Sequence, residues 1–245
     1  MEVDICSLNK QQLLELNPEN IDFLLNKEEI LHIFQKLGAL WLYSYEAAKN
    51  GKAGLHAELK SGRCSDGFLN AKQVIQYDNM CRLFAKQLFL KYKQISVKYE
   101  KPTHVVGIPD GATKIGKYVA EFLGAITAEM IKKDGKIMMV SESISEESTL
   151  LLVEDFCTRG TGFREAVESA LQKKWNIVLG EFVIINRGGL ELIEVQGISF
   201  IIFALAEHRI KDWDPAECPL CKIGSKRIKP KVTQENWEKI MNSQK

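Results

Sequence analysis

The fold of this chain is decided by the stretch Leu150-Leu151-Leu152-Val153-Glu154-Asp155-Phe156-Cys157-Thr158-Arg159-Gly160-Thr161-Gly162. Its first four residues are apolar and do not alternate with polar ones, which is typical of a strand covered on both faces of a parallel sheet. Two adjacent acids, Glu154 and Asp155, stand where we expect this strand to end. A turn of small residues then opens a helix, whose apolar face is formed by Phe163, Val167, Ala170 and Leu171.

The turn from Thr158 to Gly162 has the chemistry of a phosphate site. Thr158, Arg159, Gly160, Thr161 and Gly162 offer backbone N–H groups, two hydroxyls and the amino end of a helix, all of which suit an anion. Ligands of open α/β sheets bind outside the carboxyl ends of the strands. Acids for sugar hydroxyls beside a phosphate turn predict a site for a phosphorylated ribose. An ordinary strand–turn–helix is the alternative, although it needs neither the paired acids nor this hydroxyl spacing.

The rest of the chain predicts an α/β fold with a mostly parallel sheet flanked by helices, because strands alternate with amphipathic helices. The predicted strands are residues 104–108, 124–128, 149–153, 178–185 and 198–205, with a hairpin around 137–140 in an otherwise irregular segment 129–149. Three parts are expected: an N-terminal helical hood region at 1–70, an α/β core at 71–210 and a C-terminal tail at 211–245.

Within the hood region, residues 1–50 are predicted to be helical. Asn26 followed by Glu29 is a plausible N-terminal cap for a helix that begins there. The segment 54–70 is rich in Gly, Ser and Asp and predicts strand and loop. Residues 72–93 follow as one long amphipathic helix.

Composition excludes several classes of protein. The chain has 245 residues, 33 Lys and Arg against 32 Asp and Glu, and a net charge of +1, so it lacks the basic surplus expected of a protein that binds nucleic acid or anionic membranes. No apolar run reaches the roughly 20 residues of a membrane span, and no secretory leader is evident. Small-molecule substrates are therefore the expected partners. Because no secretory leader is evident, the six cysteines are expected to be reduced thiols, which predicts a cytoplasmic location.

The stretch 150–162 resembles the ribose-phosphate motif of the type I phosphoribosyltransferases. A second stretch, LKSGRCSDGFLN at 59–70, is similar to the N-terminal signature of the orotate branch of that family. The resemblance implies that Lys60 contacts the pyrophosphate of phosphoribosyl pyrophosphate and that Phe68 lies against the base. Only one aromatic of the family's pair is kept, because Leu69 stands at the second position. A solvated lysine and a core aromatic are the alternatives.

Three weaker matches complete the resemblance. The loop with Asp110 and Gly111 corresponds to the one that grips pyrophosphate with backbone amides. The run Lys132-Lys133-Asp134-Gly135-Lys136 corresponds to a mobile catalytic loop, which implies catalytic roles for Lys133 and Lys136, although the family's histidine is replaced by Gly135. Arg187 matches the arginine that binds the orotate carboxylate, whereas Asn186 replaces the usual aspartate. A solvated lysine run and a structural arginine are equally plausible.

The resemblance implies transfer of ribose 5-phosphate from phosphoribosyl pyrophosphate to orotate, with Asp155 catalytic, Glu154 and Asp155 as ligands of Mg²⁺, and a homodimer. Two alternatives stay open. One is a phosphoribosyltransferase for another nucleobase, since the departures from the family pattern fall on the base side. The other is a regulator that binds phosphoribosyl pyrophosphate without turning it over, which the altered lysine loop would permit.

Six cysteines include one Cys-x-x-Cys pair, Cys218 and Cys221. A structural zinc site needs four ligands, usually from two such pairs. The chain has no second pair, and the remaining cysteines are scattered in sequence. The favoured interpretation is a packed turn of reduced thiols; zinc, bound across a dimer, is the less favoured one.

Overall fold

The computed structural model describes residues 3–95, 101–140 and 144–245. The α-helices within these ranges are α1 (Lys10–Leu14), α2 (Lys27–Lys36), α3 (Tyr45–Lys49), α4 (Lys72–Ile75), α5 (Asp78–Ile95), α6 (Thr113–Leu123), α7 (Thr161–Leu171), α8 (Pro219–Lys222) and α9 (Gln234–Asn242). Two short 3-10 helices precede α2, at Ile5–Ser7 and Pro18–Asn20.

The strands are β1 (Leu40–Leu42), β2 (Leu55–Glu58), β3 (Cys64–Ser65), β4 (Gly67–Leu69), β5 (His104–Gly107), β6 (Ile126–Ala128), β7 (Met130–Lys133), β8 (Lys136–Met139), β9 (Thr149–Cys157), β10 (Asn176–Asn186), β11 (Leu192–Val195), β12 (Ile198–Glu207), β13 (Asp212–Trp213) and β14 (Lys226–Ile228).

The chain divides into two compact units. The first consists of Met1–Ile33 and Ala71–Arg209, and the second of Phe34–Asn70 and Ile210–Lys245. This division differs from the three parts expected from the sequence, because residues 34–70 associate with the C-terminal tail, whereas residues 1–33 associate with the α/β core. Sequence patterns indicate boundaries near residues 70 and 210. They carry no information on which of the resulting segments pack together.

The first unit is built on a six-stranded sheet in the order β11-β12-β10-β9-β5-β6. Only β11 is antiparallel; the other neighbours pair in parallel, as the alternation of strands and helices predicts. Leu150 and Leu152 of β9 lie in one buried cluster with Phe163 and Val167 of α7. On β10, the ring of Phe182 contacts Tyr92 of α5 instead, with ring centroids 5.8 Å apart.

The second unit contains two small sheets. In one, β1 pairs with β4; the other has four strands in the order β13-β3-β2-β14. Its buried cluster includes Trp41, Phe68, Cys64, Cys218 and Trp237. The strand β1 lies in a region that was expected to be purely helical.

Most predicted elements are present. The Asn26 cap is confirmed, because Glu29 N donates to Asn26 Oδ1 (3.0 Å) and Asn26 N donates to Glu29 Oε2 (2.7 Å). The expected helix 72–93 is two helices, α4 and α5. The hairpin predicted near 137–140 is β7–β8. Residues 141–143 of the segment expected to be irregular lie outside the described residues. None of the helices in the described ranges is long and apolar enough to cross a membrane.

Candidate active site

Strand β9 does not end at the two acids. Its parallel pairing with β10 continues past them, with Glu154 opposite Val183 and Phe156 opposite Ile185, up to Cys157. The expected strand end at residue 153 was therefore wrong by four residues. Because successive side chains of a strand point to opposite faces, Glu154 and Asp155 leave β9 in opposite directions.

Asp155 lies against the turn that follows β5. A β-carbon added at Gly111 would overlap the Asp155 carboxylate, so the turn approaches this acid as closely as only glycine allows. The backbone N–H of Phe156 donates to Asp155 Oδ1 (2.9 Å). In the same turn Asp110 is exposed, and the peptide bond between Pro109 and Asp110 is cis. The structure thus brings together three of the predicted residues, Asp110, Gly111 and Asp155.

Glu154, which is partly buried, faces the other side of the sheet and meets a fully buried acid, Glu181. One carboxylate oxygen of Glu154, the Cys157 thiol and one carboxylate oxygen of Glu181 lie within 4.8 Å of one another. Glu181 is fully buried in the middle of β10. Among the described residues neither Glu181 oxygen has a hydrogen-bond partner, nor does Glu154 Oε2.

This burial changes how both acids titrate. Loss of hydration, followed by the neighbouring Glu181 carboxyl, raises the pKa of Glu154 well above its usual range. Burial likewise raises the pKa of Glu181. Two carboxyl groups this close do not both ionise readily, so we expect the pair to retain a proton near neutral pH.

The predicted phosphate turn joins β9 to α7. Gly160 is the residue before the helix and has φ of +64°, a left-handed conformation that favours glycine. With no side chain, Gly160 cannot cap the first N–H groups of α7, which therefore stay available to an anion. Glu154 Oε1 lies beside this turn, 2.7 Å from where a β-carbon at Gly162 would stand. A protonated Glu154 removes a negative charge from beside the predicted phosphate.

Arg187 is positioned by the same turn. Its Nε donates to Thr158 Oγ1 (2.6 Å), and its backbone N–H donates to the carbonyl of Cys157 (2.9 Å). The preceding residue, Asn186, is fully buried and donates through Nδ2 to the Leu190 carbonyl (2.7 Å) and to Glu207 Oε1 (3.0 Å). An aspartate lacks these donors, which explains the departure from the family's Asp-Arg pair.

The lysine run forms the tip of the β7–β8 hairpin, whose two-residue turn is Asp134-Gly135. Lys133 pairs with Lys136 in register, and both are exposed. The hairpin is held on α7 by side chains, because Ile137 N donates to Glu165 Oε2 (3.1 Å) and Met139 N donates to Ser169 Oγ (2.9 Å). The predicted catalytic lysines therefore belong to a segment attached to the helix of the phosphate turn.

Lys60 and Phe68 lie in the second unit, where both line a pocket of about 310 Å³ together with Lys229 and Lys231. Phe68 is 8% exposed and packs against Trp237, with ring centroids 6.0 Å apart. Lys60 occupies the exposed turn between β2 and β3. Their predicted contacts with pyrophosphate and base stay predictions.

Sequence reasoning missed Glu181, and it included Lys132 in the predicted loop without giving it a role. Glu181 is a single acid inside an otherwise apolar strand, which is the signal that would have found it. Lys132 is close enough to Glu154 to oppose, weakly, the rise in its pKa, whereas the family pattern drew attention to Lys133.

Comparison with known proteins bears on the fold and on the similarity to a family. No family model matches the chain. A protein named orotate phosphoribosyltransferase from Caldanaerobacter subterraneus subsp. tengcongensis is 28% identical over 210 residues, covering 84% of this chain and 97% of the relative. Another of that name from Caldicellulosiruptor saccharolyticus is 29% identical over 179 residues, covering 71% and 87%.

Among solved structures, orotate phosphoribosyltransferase from Aeropyrum pernix superposes with a TM-score of 0.52 at 14% identity, covering 73% of this chain and 93% of that one. The fold is therefore that of the type I phosphoribosyltransferases, as the sequence predicted. Within that class, the predicted similarity to the orotate phosphoribosyltransferases is confirmed by the curated relatives.

Proposed function

We propose that this chain is a pentosyltransferase that transfers ribose 5-phosphate from phosphoribosyl pyrophosphate to orotate, giving orotidine 5′-monophosphate and pyrophosphate. The observation that carries the proposal is the placement of Asp155 and the turn Thr158–Gly162 around one strand end, with Gly111 against the Asp155 carboxylate. The names of the curated relatives support orotate as the acceptor.

In the proposed reaction, the bond between ribose C1 and the pyrophosphate oxygen breaks while positive charge develops on the sugar, as in glycoside cleavage. The chain needs to position the ribose and stabilise this charge; it does not need a covalent nucleophile. Backbone N–H groups at the start of α7 and the hydroxyls of Thr158 and Thr161 bind the 5-phosphate. Asp155 binds a ribose hydroxyl and places a negative charge beside the sugar.

The carboxylates also bear on the predicted cofactor, Mg²⁺. Carboxylate oxygens are ligands that Mg²⁺ prefers, and Asp155 beside the bare backbone of Gly111 fits one. Glu154 fits less well, because its pKa is raised and a protonated acid is a poor ligand. When bound, Mg²⁺ would neutralise the pyrophosphate and polarise it as a leaving group.

The remaining predicted residues have supporting roles in this proposal. Lys133 or Lys136 stabilises the departing pyrophosphate, as does Lys60, and the turn with Asp110 binds it through backbone amides. Arg187 presents its planar guanidinium to the orotate carboxylate while Thr158 fixes the arginine side chain. Phe68 lies against the base. A homodimer and a cytoplasmic location are part of the proposal and stay predictions.

The test is an assay of the purified protein with phosphoribosyl pyrophosphate, Mg²⁺ and orotate, followed by loss of orotate absorbance, with uracil, hypoxanthine and adenine in parallel. Orotate consumption by the native protein, lost in Asp155→Asn, is the expected result. Turnover of another base alone would overturn the acceptor. Thermal stabilisation by phosphoribosyl pyrophosphate without turnover of any base would favour the regulator.

A further inference from the structure

Four side chains of the second unit converge on one point. They are His56, Cys64, Cys218 and Cys221, and one ligand atom from each lies within 4.8 Å of all the others. His56, Cys64 and Cys218 are buried, and Cys221 is partly exposed. Two segments of chain contribute, since Cys64 and Cys221 are 157 positions apart.

Three of the distances between these atoms are close to those of tetrahedral ligands around a metal, and the others are no longer than 4.8 Å. Cys64 Sγ is 3.8 Å from Cys221 Sγ, and His56 Nε2 is 3.5 Å from Cys221 Sγ and 3.8 Å from Cys218 Sγ. Zinc bonds of about 2.3 Å to sulfur and about 2.0–2.1 Å to nitrogen place tetrahedral ligands about 3.8 Å (S to S) and about 3.6 Å (S to N) apart. The cysteines are not joined as disulfides.

The hydrogen bonds around His56 leave its Nε2 as the ligand atom. Ser225 Oγ donates to the Gly54 carbonyl (3.2 Å), so its lone pair accepts from His56 Nδ1 (2.9 Å). A proton on Nδ1 leaves Nε2 unprotonated, with its lone pair toward the cysteines. Metal-binding histidines are commonly oriented by such a bond from the second ring nitrogen.

We propose that His56 Nε2 and the sulfurs of Cys64, Cys218 and Cys221 bind one structural Zn²⁺ ion. Three thiolates and an imidazole select a soft or borderline metal over Mg²⁺ or Ca²⁺, and a tetrahedral set of this kind favours zinc. All four positions are filled by protein, which is the arrangement of a structural site and not of a catalytic one.

The local fold explains how the ligands are presented. His56 lies on β2 and Cys64 on the adjacent antiparallel β3. Cys218 is the N-cap residue of α8 and Cys221 lies within that helix, where Lys222 N donates to the Cys218 carbonyl (3.3 Å). The ion joins the β2–β3 hairpin to the C-terminal segment. Because His56 and Cys64 bracket the turn that carries Lys60, the ion also fixes both ends of that turn.

The experiment measures zinc in the full-length protein by plasma mass spectrometry after exhaustive dialysis, and the spectrum of metal-stripped protein titrated with Co²⁺. We expect about one zinc per chain and the intense visible bands of tetrahedral thiolate-bound Co²⁺. Cys221→Ser is expected to weaken zinc affinity at least about tenfold in competition with a chelator. Cys6→Ser changes an exposed thiol outside the cluster and is expected to keep full occupancy.

Substoichiometric zinc in the native protein together with Co²⁺ spectra lacking tetrahedral bands would overturn the proposal in favour of a packed cluster of reduced thiols. A mass lower by two hydrogen atoms with Cys64 and Cys221 linked in a peptide map would overturn it in favour of a disulfide. Should Cys221→Ser fail to fold, the Co²⁺ titration of the native chain still decides between these results.

Discussion

The carboxylate of Asp155 lies so close to the backbone of Gly111 that a β-carbon at residue 111 would overlap it. This acid, near the carboxyl end of β9, is thus positioned by the turn after the neighbouring strand β5. We expect Gly111→Ala to displace the flexible carboxylate and leave the backbone intact. A displacement of about 1 Å costs on the order of 100-fold in kcat/KM, while the free energy of unfolding in urea changes by less than about 1 kcal/mol.

A double-variant cycle shows whether this loss passes through Asp155. Combining Gly111→Ala with Asp155→Asn is expected to cost little beyond Asp155→Asn alone, since both changes affect one contact. Additive losses would mean that Gly111 acts on the substrate independently of Asp155.

Asp155→Asn by itself is expected to lower kcat by roughly 100- to 1,000-fold, because a positioned charge that stabilises the transition state is lost. The side chain keeps its size, so unfolding in urea should change little. Glu194→Gln on the exposed face of β11 removes one acid elsewhere and controls for net charge. Equal losses of turnover and stability in Asp155→Asn would contradict the assigned role.

The Glu154–Glu181 pair predicts an unusual dependence of stability on pH. The pKa of each acid is raised in the folded chain, so the pair stabilises the fold below the pKa of an unfolded glutamate and this contribution is lost as the pH rises through the folded values. Glu181→Gln removes one buried acid. We expect it to be close to the native protein in stability near pH 5 and to exceed it at pH 8, because the variant has no carboxyl group at this buried position to ionise.

Urea unfolding at pH 5, 6.5 and 8 checks this expectation, with Glu194→Gln as the matched control. A constant difference between Glu181→Gln and the native protein across this range would show that the Glu181 carboxyl does not contribute to the pH dependence of stability.

Arg187 donates a hydrogen bond to Thr158, and variants at these two residues test the predicted contact with the base and the predicted contact with the phosphate separately. Arg187→Lys keeps the charge but loses the planar fork, and we expect it to raise the KM for orotate about tenfold or more. Thr158→Val removes a hydroxyl from the turn and should mainly raise the KM for phosphoribosyl pyrophosphate. If Arg187→Lys instead changes only the KM for phosphoribosyl pyrophosphate, Arg187 acts on the phosphate and another group binds the base.

The exposed lysines of the β7–β8 hairpin are predicted to act on the leaving group. Lys133→Ala should lower kcat by about 10- to 100-fold with an unchanged urea midpoint. Lys173→Ala, an exposed lysine after α7, provides the control. A loss confined to Lys132→Ala would move the role to the lysine whose charge acts on Glu154.

The sequence predicted those elements that depend only on residues close to one another in the chain. The unbroken apolar run at 150–153 and the helical spacing of Phe163, Val167 and Ala170 are sufficient for β9 and α7, and the Asn26 cap is formed by neighbours in sequence. The length of β9 was missed because two acids look like a strand end, whereas pairing with Val183 and Ile185 carries the strand onward.

What the sequence did not predict depends on contacts between distant segments. Glu154 and Asp155 seemed equivalent in the sequence, yet they lie on opposite faces of the strand. Glu154 has the buried acid Glu181 as its neighbour, whereas Asp155 lies against the turn with Gly111. In the sequence Cys64 is far from Cys221, whereas in the fold its Sγ lies 3.8 Å from Cys221 Sγ. No periodicity or spacing encodes such a meeting across 157 positions.

The bonds from Glu165 and Ser169 to the free edge of β8 have a mechanical consequence. Helix α7 starts at the predicted phosphate turn and contacts the hairpin within its next two turns. It therefore connects the predicted phosphate site to the lysines at the hairpin tip. We therefore expect a shift or tilt of its first turn to move Lys133 and Lys136 with it.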